Sequence, residues 1–149
     1  MRVYLGADHR GFALKEKLKP FLSAEGHEAE DLGNKILDSE DDYVDFAAKV
    51  AEEVERNPDS RGILICGSGA GVDIVANKFD GVRSVSASTP GEARAAREDD
   101  DVNVLALASD FLSQAEARDI VKTFLETSFK GEERHRRRIG KIAEIEKKN

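Results

Sequence analysis

The sequence predicts an α/β fold, a five-stranded parallel sheet with helices on both faces. Three observations carry this. Short apolar runs alternate with amphipathic helical stripes along the whole chain. The strongest runs, such as Ile63-Leu64-Ile65 and Val104-Leu105-Ala106-Leu107, are continuously apolar, as strands covered on both faces require. A length of 149 residues suits one domain, 1–149, with a substantial core.

Taken in order, Arg2 to Gly6 reads as a first strand and Ala7 to Gly11 as the loop at its C-terminal end. Phe12, Leu14, Leu18, Phe21 and Leu22 recur at helical spacing, with Pro20 expected to kink or divide that helix and Gly26 to follow its end. His27 to Leu32 is a weaker strand and Gly33 to Asp42 a polar loop. Tyr43, Phe46, Ala47, Val50 and Val54 form the stripe of a second helix, which Asn57-Pro58 ends. Gly62 to Cys66 is a buried strand, Gly67 to Gly71 a small turning loop, and Val72 to Lys78 a helix start. Val82 to Ala87 is the fourth strand. Thr89-Pro90-Gly91-Glu92 has capping-box spacing with proline at the first helical position, and Glu98 to Asp101 closes that helix as an acidic loop. Val102 to Ala108 is the last strand. A second capping box, Ser113 to Glu116, opens a helix to about Ser128, and a basic stretch from Arg134 to Arg138 leads into a final helix through Ile139, Ile142 and Ile145.

Composition excludes several functions. The formal charge of −7 argues against a general nucleic-acid binder. One cysteine forms no internal disulfide, which suits a reducing cytoplasm. No apolar run approaches the roughly 20 residues of a membrane span, and the N-terminus lacks a signal-peptide pattern. Three histidines and one cysteine show no metal-ligand spacing, so no metal is expected.

In a parallel sheet, ligands bind beyond the C-terminal strand ends. There lie Asp8 to Gly11, Cys66 to Gly71, Ser88 to Pro90 and Ala108 to Phe111. The only cysteine sits at a strand end, before a glycine loop and a helix N-terminus, where backbone N–H groups and the helix dipole favour an anion. That field also favours negative charge on sulfur, placing a base beside an oxyanion pocket. Gly67-x-Gly69-x-Gly71 is not a dinucleotide fingerprint: it is GxGxG, it follows the third strand, and no GxxxxGK[ST] is present. Taken singly, each feature has a plainer explanation. A lone buried cysteine is usually inert core, Asp8-His9 a helix-capping pair, Tyr43 packing, and the arginine run a solvated face.

Together the motifs resemble the family of ribose-5-phosphate isomerase B and galactose-6-phosphate isomerase over nearly the whole chain. The resemblance rests on Gly6 to Phe12 with Leu14-Lys15, Asp42-Tyr43, Cys66 to Gly69 with Gly71, Ala76-Asn77-Lys78, Gly81-Val82-Arg83, Asn103 to Ala106, and Arg134-His135 with Arg138. It implies a Rossmann-like three-layer sandwich and a homodimer, sometimes paired into a tetramer. It also implies aldose–ketose isomerisation of a sugar phosphate through an enediolate, without metal or cofactor. By this resemblance Cys66 is the base. The N–H groups of Gly67, Ser68, Gly69, Ala70 and Gly71 stabilise the oxyanion, and Ser68, where the family usually has threonine, shuttles a proton. Asp8 and His9 polarise sugar hydroxyls near the ring oxygen, and Tyr43 and Asn103 contact substrate. Arg134, His135 and Arg138 reach the phosphate in the other subunit's site, so the segment 131–149 is expected to contact a partner.

The chain departs from the pattern at four positions. Asp99 stands where many members carry a ring-opening histidine, and Asp110 where an arginine usually meets the phosphate. Asp73 replaces a small or apolar residue and Val44 a proline. Asp99 is then the candidate acid/base for ring opening, and Arg10 the candidate replacement phosphate contact. The expected reaction is interconversion of ribose 5-phosphate and ribulose 5-phosphate. The alternatives are isomerisation of allose or galactose 6-phosphate, and a sugar-phosphate-binding protein that has lost catalysis.

Overall fold

The computed structural model describes residues 1–149. Its elements run β1 (Arg2–Ala7), α1 (Phe12–Ala24), β2 (Glu28–Asp31), α2 (Tyr43–Arg56), β3 (Arg61–Cys66), α3 (Ala70–Ala76), β4 (Ser84–Ser86), α4 (Pro90–Asp100), β5 (Val104–Ala108), α5 (Gln114–Glu126) and α6 (Glu133–Glu146). All strand pairs are parallel, in the order β2-β1-β3-β5-β4. The five-stranded α/β sandwich expected from the sequence is therefore the fold.

Strand residues alternate between two cores. Val3, Leu5, Ile63, Ile65, Leu105 and Leu107 pack under α1, α4 and α5. Tyr4, Leu64, Cys66, Val104 and Ala106 pack under α2 and α3. Period-two alternation thus aims Cys66 toward the α2–α3 layer. From β1 the chain turns outward to β2, then crosses back to place β3 on the other side of β1. The loops after β1 and β3 diverge at that switch point, opening the crevice that such sheets use for ligands.

Several element boundaries differ from expectation. Pro20 does not divide α1, which is continuous from Phe12 to Ala24; the proline forfeits only the bond its N–H would have given to the Glu16 carbonyl. α3 begins at Ala70, two residues before the apolar stripe suggests. β4 is shorter than 82–87, because the Val82 N–H is held in a turn by the Phe79 carbonyl. α4 does not stop at Glu98 but continues through Asp99 and Asp100. It ends at Asp101, held at φ 48° by ion pairs to Arg97 and Arg83. Both predicted capping boxes form, at Thr89/Glu92 and Ser113/Glu116. No helix is long and apolar enough to cross a membrane.

Candidate active site

Most of the predicted site residues converge at the C-terminal ends of β1, β3 and β5. The loop after β1 is drawn onto β3 by the Asp8 N–H, which donates to the Ile65 carbonyl at 3.3 Å. Buried Asp8 caps its own turn, accepting at Oδ1 from the N–H groups of Arg10 and Gly11, both at 3.0 Å. The loop after β3 is tied to β5: the Ser109 N–H donates to the Cys66 carbonyl and the Asp110 N–H to the Gly67 carbonyl.

Cys66 is 5% exposed, and the Gly69 N–H donates to its Sγ at 3.2 Å. A donor there stabilises negative charge on sulfur. Gly69 achieves this at φ +76°, a conformation that favours glycine. The Ala70 N–H, the first of α3, donates to Ser68 Oγ at 3.3 Å, and Ser68 remains exposed. The N–H groups of Gly67, Ser68 and Gly71 have no acceptor within the chain. Three free donors beside a thiol can hold an oxyanion as the thiol moves a proton. Tyr43 lies against the loop, its ring 2.7 Å from where a Gly71 side chain would begin, so ring and loop need a residue without Cβ there.

His9 shows an arrangement the sequence did not announce. Asp41, from the loop before α2, accepts from the His9 N–H at 2.9 Å and from its Nδ1 at 2.7 Å, both at Oδ1. The Asp41 bond holds the His9 pKa above the usual histidine range. Partial desolvation and Arg10 oppose this, and Asp8 adds to it. Asn34 Nδ2 donates to the other Asp41 oxygen at 2.8 Å. The Asn34 carbonyl in turn accepts at 2.9 Å from Lys15, a fully buried lysine that also bonds Asp31 at 2.6 Å. Lys15 was legible in one respect, sharing the helical stripe of Leu18 and Leu22. Asp41 carried no signal within its acidic loop.

Arg10, expected as a phosphate contact, is ion-paired with Asp110, its guanidinium folded over Gly67. The concavity beside α2, lined by Asp38, Glu40, Asp42, Asp45 and Glu52 with one lysine, repels a phosphate.

Five predicted residues lie elsewhere. Asn103 directly precedes β5, at the opposite end of the sheet, and its side chain is committed to backbone. Oδ1 accepts from the Arg83 N–H at 2.8 Å and Nδ2 donates to the Gly81 carbonyl at 2.9 Å. It joins Gly81, Arg83 and β5 rather than facing Cys66. Asp99 closes α4 at that same far end, with His135 Nε2 at 3.6 Å, too long for a hydrogen bond. His135 is the only buried residue of α6. Arg134 and Arg138 project from α6 into solvent, Arg134 bonded to Glu132. A six-residue strand separates the two ends by roughly 20 Å, so within one chain Asp99 and the arginines do not reach Cys66.

Comparison with known proteins shows the family. The sequence model of a family described as Ribose/Galactose Isomerase matches residues 3–142. A probable ribose-5-phosphate isomerase B of Mycoplasma genitalium is 42% identical over 97% of this chain and 95% of its own. Ribose-5-phosphate isomerase B of Mycobacterium tuberculosis is 40% identical over 99% and 91%. Among solved structures, ribose-5-phosphate isomerase B from Mycoplasma genitalium with bound ribulose-5-phosphate superposes with a TM-score of 0.95 at 41% identity, covering 99% of this chain and 97% of that one. The type B enzyme of Trypanosoma cruzi gives 0.95 at 39% identity over both full chains.

Proposed function

The chain belongs to the ribose/galactose isomerase family, and from that premise we propose that it interconverts ribose 5-phosphate and ribulose 5-phosphate. The observation that carries the reading is Cys66 Sγ, held by one loop N–H beside three unengaged ones at the β1/β3 switch point. Such a site suits proton transfer between adjacent carbons. The thiolate removes the C2 proton of the open-chain aldose, the loop N–H groups hold the enediolate oxygen, and the proton returns at C1. The exposed Ser68 hydroxyl stands at the loop to move a proton between the two oxygens. Asp8 and His9 bind sugar hydroxyls, and Tyr43 closes the loop side. Backbone and side chains suffice for this chemistry, so the reading assigns no cofactor. A free thiol as base suits the cytoplasm, where we place the enzyme.

The reading also includes a homodimer. Arg134, Arg138 and Asp99 stand free of the Cys66 cluster in their own chain, and a second copy supplies them to it. Exposed Ile142 and Ile145 on α6, with Phe111 at 78% and Ile36 at 77% exposure, offer apolar surface for that contact.

The test is turnover of ribose 5-phosphate by wild type and Cys66→Ala. We expect wild-type turnover and a loss of at least about 1,000-fold in the variant, with the fold retained, since removal of an essential base leaves only binding. A folded wild type without turnover would sink the reading.

A further inference from the structure

We propose that Asp41 is a positioning residue for the isomerisation: it grips the His9 imidazole at Nδ1 and presents Nε2–H to an oxygen of the bound sugar phosphate. The inference rests on the proposed isomerase reading and deepens it.

The hydrogen-bond arithmetic at Asp41 fixes the tautomer. Oδ1 already accepts the His9 backbone N–H at 2.9 Å, so it faces Nδ1 as an acceptor, and at 2.7 Å Nδ1 must carry a proton. The protonation change of His9 is thereby confined to Nε2, which has no partner in the chain and belongs to a ring about one-third exposed. Asp41 is itself fixed. Its carboxylate is 5% exposed, and its second oxygen takes the Asn34 amide at 2.8 Å. Asn34 is anchored by Lys15, which is completely buried in α1. A chain of contacts from the core, Lys15 to Asn34 to Asp41 to His9, therefore fixes the imidazole at Nδ1 in the loop after β1 and leaves Nε2 free.

The charges around His9 show why this chain needs such a device. Asp8 and Arg10 flank it in its own loop, Asp41 faces it from the loop before α2, and Asp110 faces Arg10 from the end of β5. The Arg10–Asp110 pair leaves the chain little free positive charge of its own at this mouth. A protonated His9 restores a cation donor, and Asp41 keeps it protonated to higher pH.

The test follows the three histidines by ¹⁵N-resolved NMR against pH, in wild type and Asp41→Asn, together with kcat/KM for ribose 5-phosphate over the same range. The asparagine oxygen can still accept from Nδ1–H, so the variant removes charge with little change of shape. In wild type, neutral His9 is expected as the Nδ1–H tautomer, titrating above its usual value. In Asp41→Asn its midpoint falls by about one pH unit, and the alkaline limb of kcat/KM moves down with it. Unchanged His27 and His135 signals report an intact fold; if they move, Asp41→Ser is the replacement variant, with the same expected fall. A His9 midpoint equal in wild type and variant, or a kcat/KM limb that stays in place while His9 shifts, overturns the proposal. Absence of wild-type turnover would instead overturn the isomerase reading. The His9 titration, with and without ribose 5-phosphate, would still decide whether Asp41 sets its state and whether Nε2 meets the ligand.

Discussion

Arg10 and Asp110 meet across the loop that holds Cys66, and both side chains are substantially exposed. An exposed pair of this kind contributes at most about 1 kcal/mol to stability. Its larger consequence is for ligand charge, because Asp110 both occupies Arg10 and repels a phosphate. Asp110→Asn should therefore leave the melting temperature nearly unchanged and lower KM for ribose 5-phosphate a few-fold, about 1 kcal/mol of regained attraction. Steady-state kinetics at two salt concentrations check it, since the gain should shrink as salt screens the charges. The residues of this site differ in how far the sequence discloses them. Cys66 and its glycines form one contiguous turn after an apolar strand, so local pattern suffices. Asn103 sits in an equally distinctive motif, yet it precedes its strand, and strand direction carries it to the far end of the sheet. The His9–Asp41 contact joins residues 32 apart through a loop with no periodicity, and no local pattern marks it.

At the scale of elements, the strands and the two capping boxes were legible because period and cap chemistry are local properties. Element ends were less so. The acidic run after Glu98 reads as a loop, but Arg97 and Arg83 neutralise Asp101 and let α4 continue to Asp100. The same kind of tertiary compensation places Lys15 wholly inside, where α1, the end of β2 and the following loop meet. Burial alone would raise the Asp31 pKa. The ammonium groups of Lys15 and Lys19 and the Gly33 N–H outweigh it and hold that carboxyl below its usual range. Lys15→Met would leave Asp31 buried with weaker compensation and free the Asn34 carbonyl. Removing one partner of a buried pair costs about 3 kcal/mol, or roughly 6–12 °C in melting temperature for a chain of this size. The Asp31 contribution has a definite sign with pH. A depressed carboxylate stabilises the fold above its unfolded pKa, near 3.9, and loses that contribution as pH falls through the lower folded value. Wild type should therefore lose its advantage over Lys15→Met on acidification below about pH 4. Denaturant melts at pH 7 and pH 3 measure both effects, and an equal difference at the two values would contradict the assignment.

For the whole molecule, the residues proposed for the site lie at the two opposite ends of one sheet. Cys66, Asp8 and His9 stand at the C-terminal ends of the strands. Asp99, His135, Arg134 and Arg138 gather where α4 ends and α6 begins, joined by the Lys130 N–H to the Glu98 carbonyl. The proposed two-fold dimer would join them, because an isologous contact can bring the far end of one chain to the near end of the other, twice. The arrangement predicts complementation between defective chains. Cys66→Ala retains the arginines, and a chain with both Arg134→Ala and Arg138→Ala retains the thiol. Each alone should be nearly inactive toward ribose 5-phosphate. After joint refolding, roughly half of the dimers are mixed, and each mixed dimer holds one intact site and one doubly defective site, so activity should recover to about a quarter of wild type. Mixing without subunit exchange should recover none, which separates shared sites from contaminating enzyme. If the double arginine variant alone keeps wild-type kcat/KM, the phosphate is held within one chain. Arg10, released from Asp110, would then be the group to which that role passes.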